Sequence, residues 1–196
     1  MAQRPIDVQG SEIVSTALLQ LLNQFPALDG KQIQFSTLGD TSGIGFFPTS
    51  GSAILTRRES ITGHVSMQCA YPFNIIYRAS ARSETQKLAI KEWLDTLGKW
   101  VERQPIIVNG ETVQLMEYPK LDEGRIITSI YRNSPGHLSA AYQDGVEDWL
   151  VSIVLRYKYD YGIETVVPPV PATVIGLVDD SKALTSNSEW LVAPIE

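Results

Sequence analysis

The clearest hydrophobic pattern in the chain is a period-two alternation over residues 65–79. Its odd positions are apolar and its even positions are mostly polar. Side chains alternate between the two faces of a strand, so the pattern predicts a half-buried strand of about fifteen residues. Typical strands are much shorter, which predicts that part of this one projects from the domain. Pro72 cannot donate to a β-ladder and therefore predicts a bulge or an edge at that position.

A second long alternation covers residues 149–161 and predicts a strand that pairs antiparallel with a neighbour. Two strands of this length offer more backbone edge than one domain can cover. Uncovered edges pair with other chains, so the two strands predict self-association. Shorter strands are predicted at 32–38 and 125–131, and a hairpin is predicted around Asn109-Gly110, where both residues tolerate positive φ.

Two segments show the 3.6-residue period of helices. Residues 11–25 carry a wide apolar face, with Ser11 as the predicted N-cap and Pro26 as the stop. Residues 83–103 open with a Ser-x-x-Gln capping box and carry one continuous apolar stripe. The predicted fold class is therefore α+β: a mainly antiparallel sheet with two packed helices and long projecting strands.

A glycine-rich segment at residues 39–52 interrupts the strand pattern and predicts a flexible loop or a loosely held hairpin. It contains Phe46 and Phe47, which one strand face cannot bury together, so at least one ring is expected to face outward. Aromatic side chains often anchor interfaces, which makes both phenylalanines candidate contact residues. The alternative is a hairpin that tucks both rings under its own sheet.

The chain changes character at about residue 163, where prolines alternate with valine and isoleucine. No regular element fits this composition, so residues 163–196 are predicted to be an extended C-terminal arm beside an α+β assembly domain at 1–162. Trp190 stands near the end of this polar arm. It is the third candidate contact residue, unless the arm packs back on its own domain.

The composition narrows the function classes. The 196 residues are 43% hydrophobic and 19% charged, enough for a core that needs no metal or disulfide. The net charge is −6 and Arg57-Arg58 is the only basic doublet, which argues against a protein that grips nucleic acid but leaves DNA passing through a pore open. The single cysteine, Cys69, excludes an intrachain disulfide. No signal peptide or membrane-spanning apolar run is present, so an intracellular protein is expected.

Patterns typical of catalysis or cofactor binding are missing from the sequence. His64 and His137 have no cysteine or carboxylate at metal-ligand spacing. The glycine-rich segment lacks the Gly-Lys-Ser/Thr ending of a phosphate loop, and no Gly-x-Ser-x-Gly elbow occurs. We therefore expect no catalytic, cofactor-binding or metal-binding residues, and a structural role in assembly.

Residues 71–79, Ser83-Glu84 and residues 91–100 carry a resemblance to a known family. This part of the chain, about residues 60–105, resembles the minor capsid or tail-completion proteins (tail terminators) of long-tailed phages and prophages of Gram-positive bacteria. The resemblance implies a small α+β subunit that forms a hexameric ring, caps the tail tube and joins it to the head.

The same resemblance implies the partners and the location. The partners are further copies of the chain, the tail tube protein and a head-completion or neck protein, with DNA only in transit through the lumen and no membrane. The location is the virion tail or neck, and the host cytoplasm during assembly. Two alternatives stay open: a head-completion, connector or tail-tube subunit, and a small-ligand-binding or enzymatic α+β domain with its site in residues 39–52.

Overall fold

The structure is a computed structural model that describes residues 5–80 and 83–162, and the backbone of three short strands further on. The chain divides into two compact units, residues 1–162 and residues 163–196. The helices and strands of the first unit are β1 (Ile6–Asp7), α1 (Val8–Leu22), β2 (Ile33–Phe35), β3 (Gly43–Pro48), β4 (Ser52–Glu59), β5 (Val65–Ala79), α2 (Glu84–Val101), β6 (Ile106–Val108), β7 (Glu111–Val113), β8 (Arg125–Arg132), β9 (His137–Ala141) and β10 (Glu147–Tyr161).

The two long strands form the centre of the main sheet. β5 has the predicted bounds, and it pairs antiparallel with β10 along its whole length, from Val65 opposite Tyr161 to Ala79 opposite Glu147. β4 and β3 follow one another along the other edge of β5, while β8 and β9 share the other edge of β10. β1 extends the sheet beyond β4, and β2 pairs with β3 in parallel. The predicted α+β fold with a mainly antiparallel sheet is confirmed.

The expectation that the long strands project from the domain is wrong. Val65 and Met67, at the far end of β5, are buried, and neighbouring strands flank this end on both sides. The strands are long because several shorter strands share each of them. The self-association argument based on the edges of β5 and β10 therefore fails, since these edges are occupied within the subunit.

Pro72 explains how one strand serves two neighbours. The last pair of β4 with β5 is Ala53 opposite Ala70, and the first pair of β3 is Pro48 opposite Phe73. Pro72 lies at this junction, where its carbonyl oxygen accepts the backbone N–H of Thr49 at 3.1 Å. A missing N–H is tolerated here because one flanking strand ends and the next begins. The predicted irregularity is thus in the neighbours and not in β5 itself.

Both helices pack on one face of the sheet, and their buried side chains join the odd positions of β5 in a single core. The helical contribution to this core is Val14, Leu18, Leu21, Leu22, Ile90, Leu94, Leu97, Trp100 and Val101. Trp93 is half-buried beside them, where its indole N–H donates to the carbonyl of Ala27 at 2.6 Å. No described helix covers the opposite face, which carries half-buried apolar side chains such as Ile76 and Leu150.

The helix ends agree with the sequence patterns only in part. The capping box of Ser83 and Gln86 opens α2 as predicted. α1 begins three residues earlier than the predicted helix, because Asp7 and not Ser11 is the N-cap and accepts the backbone N–H of Gly10 at 2.9 Å. It also ends earlier, at Leu22, with Asn23 as its C-cap. Both residues of the Asn109-Gly110 turn have positive φ, at 52° and 83°, and join β6 to β7 as predicted.

The second unit contains three short antiparallel strands: β11 (Ile175–Gly176), β12 (Lys182–Leu184) and β13 (Trp190–Val192). These strands differ from the prediction that no regular element forms within residues 163–196. The other residues of the predicted arm lie outside the part of the chain that the structure describes.

Candidate assembly surfaces

The groups that could carry chemistry are dispersed. Among residues 5–80 and 83–162 and the three later strands, no set of three His, Cys, Asp or Glu side chains could hold a metal ion. His64 and His137 are exposed and far apart in the sequence: His64 precedes β5, and His137 is the first residue of β9. Cys69 is buried, and burial raises the pKa of its thiol, which keeps it in the less reactive protonated form. No helix in the described residues is long and apolar enough to cross a membrane.

One buried polar cluster ties the N-terminal part of the chain to the sheet. The Arg125 guanidinium donates to both carboxylate oxygens of Asp7, at 3.1 and 3.2 Å, and the Tyr157 hydroxyl donates to the same carboxylate at 2.8 Å. Burial opposes ionisation of Asp7, but these hydrogen bonds and that of Gly10 outweigh it and hold the pKa of the carboxyl below its usual value. Arg125 also pairs with Glu123 at 2.7 Å. The cluster fastens α1 to β8 and β10.

A second polar cluster closes the other end of the sheet. Arg78 makes a two-pronged ion pair with Asp148, at 2.7 and 2.8 Å, and Tyr142 donates to the same carboxylate at 2.9 Å. Arg78 and Tyr142, with Asp40 and Asp144, line a surface depression of about 300 Å³. The only arginine there is already engaged by a carboxylate, so the depression has no free cation among its described lining residues to bind an anion.

Phe46 does not occupy the position that the glycine-rich sequence predicts. Residues 43–48 form strand β3, and Phe46 is fully buried in the core, in edge contact with Phe73 at 5.1 Å between ring centroids. Glycines favour a flexible backbone, but backbone pairing with β2 and β5 holds this segment in an extended strand. The expectations of a flexible loop at 39–52 and of Phe46 as a contact residue are therefore wrong for the folded subunit.

Phe47 points to the opposite face of the sheet, as adjacent strand residues must. It pairs with Asn74, an even position of β5, and is half-buried on the face that no described helix covers. Its ring lies over Gly45, where an added Cβ would come within 2.4 Å of it. The prediction that at least one of the two rings faces outward is confirmed, and the contact role of Phe47 stays a prediction.

Trp190 is the first residue of β13, and its backbone pairs with Leu184 of β12. Its side chain lies outside the described part of the chain. The contact role of Trp190 therefore stays a prediction.

The outer strands of the main sheet are β1, β2 and part of β4 on one side, and β8 and β9 on the other. β1 pairs only with the first two residues of β4, so residues 55–59 have no further strand partner within the described chain. On β8, two outward N–H groups are capped by side chains: Ile130 donates to the Tyr118 hydroxyl at 3.3 Å, and Arg132 donates to the Glu102 carboxylate at 2.7 Å. Such capping protects an edge from unspecific strand pairing.

Exposed apolar side chains accompany both edges. Ile61, at the tip of the β4–β5 hairpin, has a relative exposure of 108%. At the β8 edge Ile126 is 64% exposed, and Met116 stands out from the neighbouring loop. Beside β8 lies a groove of about 520 Å³. Its lining combines Tyr118, Pro119, Leu121, Ile126 and Ile127 with the charged residues Arg103, Glu117, Lys120 and Arg125. Other apolar side chains, such as Val8, Leu88 and Ile107, are also exposed, and single exposed apolar residues are common on protein surfaces.

These exposed residues were not predicted as contact residues. Ile61 stands alone between Ser60 and Thr62-Gly63, outside every hydrophobic period, and an isolated apolar residue in a polar turn is the signal that could have identified it. Ile126 carries no such signal, because it is followed directly by Ile127 in the same strand, and only the fold shows which of the two side chains is exposed.

Comparison with known proteins returns little similarity. No protein-family model matches the chain, and no curated protein matches it. Among solved structures, the chain is similar to one from the virion of a native gene transfer agent particle, at 8% sequence identity and a TM-score of 0.40. The match covers 79% of this chain and 99% of that chain.

Proposed function

We propose that this chain is a structural subunit of a phage-like virion: a tail terminator that assembles into a ring at the head-proximal end of the tail tube and joins tail to head. The resemblance of residues 60–105 to tail-completion proteins supports this specific role. Its partners are further copies of itself, the tail tube protein and a neck protein, in the virion and, during assembly, in the host cytoplasm.

The observation that carries the proposal is the exposure of apolar side chains at two separate places on one well-packed sheet. Ile61 stands at the tip of the β4–β5 hairpin, and Ile126 stands on β8. A subunit with two different apolar contact surfaces can bind further copies head to tail. Such an assembly closes into a ring when the rotation between successive copies allows it.

The polar clusters support a structural role and not a catalytic one. The charged side chains of both clusters form ion pairs within the subunit: Asp7 with Arg125, and Arg78 with Asp148. Half of the segment proposed for a ligand site in the enzymatic alternative, residues 39–52, belongs to β3 and the first residue of β4. We therefore propose a protein without catalytic activity and without a cofactor.

The net charge of −6 fits a ring through which DNA passes. An acidic surface repels phosphates, so DNA moves through the lumen without being held. A purified sample is accordingly expected to leave the mobility of double-stranded DNA unchanged at physiological salt. A micromolar complex with linear DNA would contradict the transit role.

Negative-stain imaging of the purified chain tests the proposed function. We expect single closed rings with a central channel. Long tubes would favour a tail-tube subunit, which keeps stacking, whereas a terminator stops at one layer. A strict monomer at high concentration, with or without added tail tubes, would contradict assembly altogether.

A further inference from the structure

We infer that the sheet face without a described helix receives carboxylate side chains of a neighbouring copy on its cationic half, and that this contact helps to build the ring. The inference rests on the proposed self-assembly and names one of the surfaces that meet. The cationic half-face is formed by Arg58 on β4, Gln68 on β5, and Arg156, Lys158 and Asp160 on β10.

The strand register gathers three cations on this half-face. Arg58, Arg156 and Lys158 all pair with even positions of β5, whose side chains point away from the helices. The three side chains are exposed, and none forms an ion pair within the described residues. The single carboxylate of the half-face is Asp160, which pairs with Ser66 from one side while Arg58 pairs with it from the other, so the two lie two strands or about 10 Å apart. The half-face therefore has a surplus of two positive charges.

Arg156 and Lys158 border a depression of about 190 Å³ in the half-face. Its lining also includes the amide of Gln68 and the hydroxyl of Ser129, and no carboxylate belongs to the described lining. The Arg156 guanidinium lies over the ring of Tyr131 at 5.2 Å, which holds the cation in place. Two cations beside neutral hydrogen-bonding groups, with no competing acid, suit a carboxylate side chain, since hydrogen bonds between charged groups are the strong ones.

Ile126 extends the half-face towards β8. It pairs with Lys158 and is 64% exposed, and it also lines the groove beside β8. The charged groups of that groove without an ion pair in the described chain are Arg103, Lys120 and Glu117, one more cation than anion. The surface therefore continues as a mixture of apolar and positively charged groups, which favours a protein partner over a purely ionic ligand.

The charge of the chain selects a second copy as this partner. The whole chain carries −6 and the half-face carries +2, so everything outside the half-face carries −8. Residues 163–196, with one lysine and five carboxylate side chains, supply −4 of this charge. Because like charges repel, two cationic half-faces do not meet, and the contact joins different surfaces of two copies. Contacts of this head-to-tail kind are the ones that build rings.

Removal of the two central cations tests the contact. Arg156→Gln combined with Lys158→Gln changes only exposed side chains, so the thermal unfolding midpoint should stay that of the wild type. At low ionic strength this double variant is expected to need about tenfold higher concentration to assemble, as measured by mass photometry, because charged pairs across the contact are lost. The difference from the wild type should shrink as salt is added, since salt screens exposed charges.

Matched variants separate this contact from net charge and from folding. Lys31→Gln combined with Lys99→Gln removes the same charge at exposed positions outside the half-face and should assemble like the wild type. The exchange Arg156→Lys with Lys158→Arg keeps both charges and should also assemble normally. Should the first double variant fail to fold, Lys158→Gln alone takes its place and is expected to show a smaller loss of the same kind.

The outcomes distinguish this inference from the proposed function. Rings formed equally well by the wild type and the Arg156→Gln/Lys158→Gln variant, or an equal loss in the Lys31/Lys99 control, would overturn the inference and leave the proposed function standing. A wild-type chain that never oligomerises would overturn both. If the wild type bound duplex DNA at low ionic strength, and the double variant lost this binding but assembled normally, the half-face would bind phosphate and the inference would be wrong.

Discussion

At the residue scale, Arg125 is the most deeply buried charged side chain of the described chain. It joins Asp7 at the start of α1 to β8, and it lies 3.9 Å from the ring centroid of Tyr159 on β10. Removing one partner of a buried ion pair leaves the other charge without compensation, which costs far more than the pair contributes when intact. The N-terminus of α1 is therefore held by this pair together with the hydrogen bond from the Tyr157 hydroxyl.

Replacement of Asp7 by asparagine should lower the free energy of unfolding by about 3 kcal/mol at neutral pH. Because the folded pKa of Asp7 is depressed, its contribution is complete above the ordinary value of 3.8 and is lost as the pH falls through the folded value. Urea unfolding across an acid pH series should thus show the two proteins converging on acidification. A difference that stays constant or grows there would contradict this role, and Glu12→Gln, exposed on the same helix, is the control.

The two phenylalanines of β3 should respond differently to truncation. Phe46→Ala removes a fully buried ring and is expected to cost about 3–5 kcal/mol. Phe47→Ala, on the uncovered face, should cost less than half of that, since its ring keeps part of its contact with water in the folded state. Chemical denaturation of both variants measures the difference, and similar losses would mean that the two rings are buried alike.

At the scale of elements, local patterns predicted most of the secondary structure. The bounds of β5, the capping box of α2 and the Asn109-Gly110 turn all depend on residues that are close together in the sequence. They can therefore be predicted from the sequence alone. β3 was not predicted, because its glycines indicate a loop. Only its pairing with β2 and β5 makes it a strand.

The candidate surfaces were the least predictable feature for the same reason. A groove forms where a loop passes beside a strand in the folded subunit. The local sequence pattern does not predict which side chains line it. The sequence therefore indicated an assembly role without the residues that carry it. Of its three candidates, Phe46 belongs to the core, and Phe47 and Trp190 await a test of contact.

The edge of β8 provides a prediction at the element scale. Tyr118→Phe removes the hydroxyl that accepts the Ile130 N–H and donates to Val101. The loss should be about 1 kcal/mol of stability, with faster hydrogen exchange at the Ile130 amide. Tyr161→Phe, whose hydroxyl makes no hydrogen bond to a described residue, should leave both quantities unchanged. An unaltered exchange rate at Ile130 in Tyr118→Phe would show that water replaces the cap without cost.

At the scale of the whole subunit, the main sheet separates stability from assembly. One face and both central strands are committed to the core with α1 and α2. Ile61, at the tip of the β4–β5 hairpin, and Ile126, on β8, lie outside this core. Changes at these two positions should therefore alter association and spare folding, whereas changes beneath the helices should unfold the subunit.

Native mass spectrometry of the purified wild-type chain tests the central claim, which is closure of identical subunits into a ring. The account predicts one dominant assembly of fixed subunit number, hexameric by the resemblance, that does not grow as the concentration rises. Heterologous contacts that close leave no free surface at which further copies can add. A monomer at every concentration, or a continuous ladder of ever larger species, would contradict it.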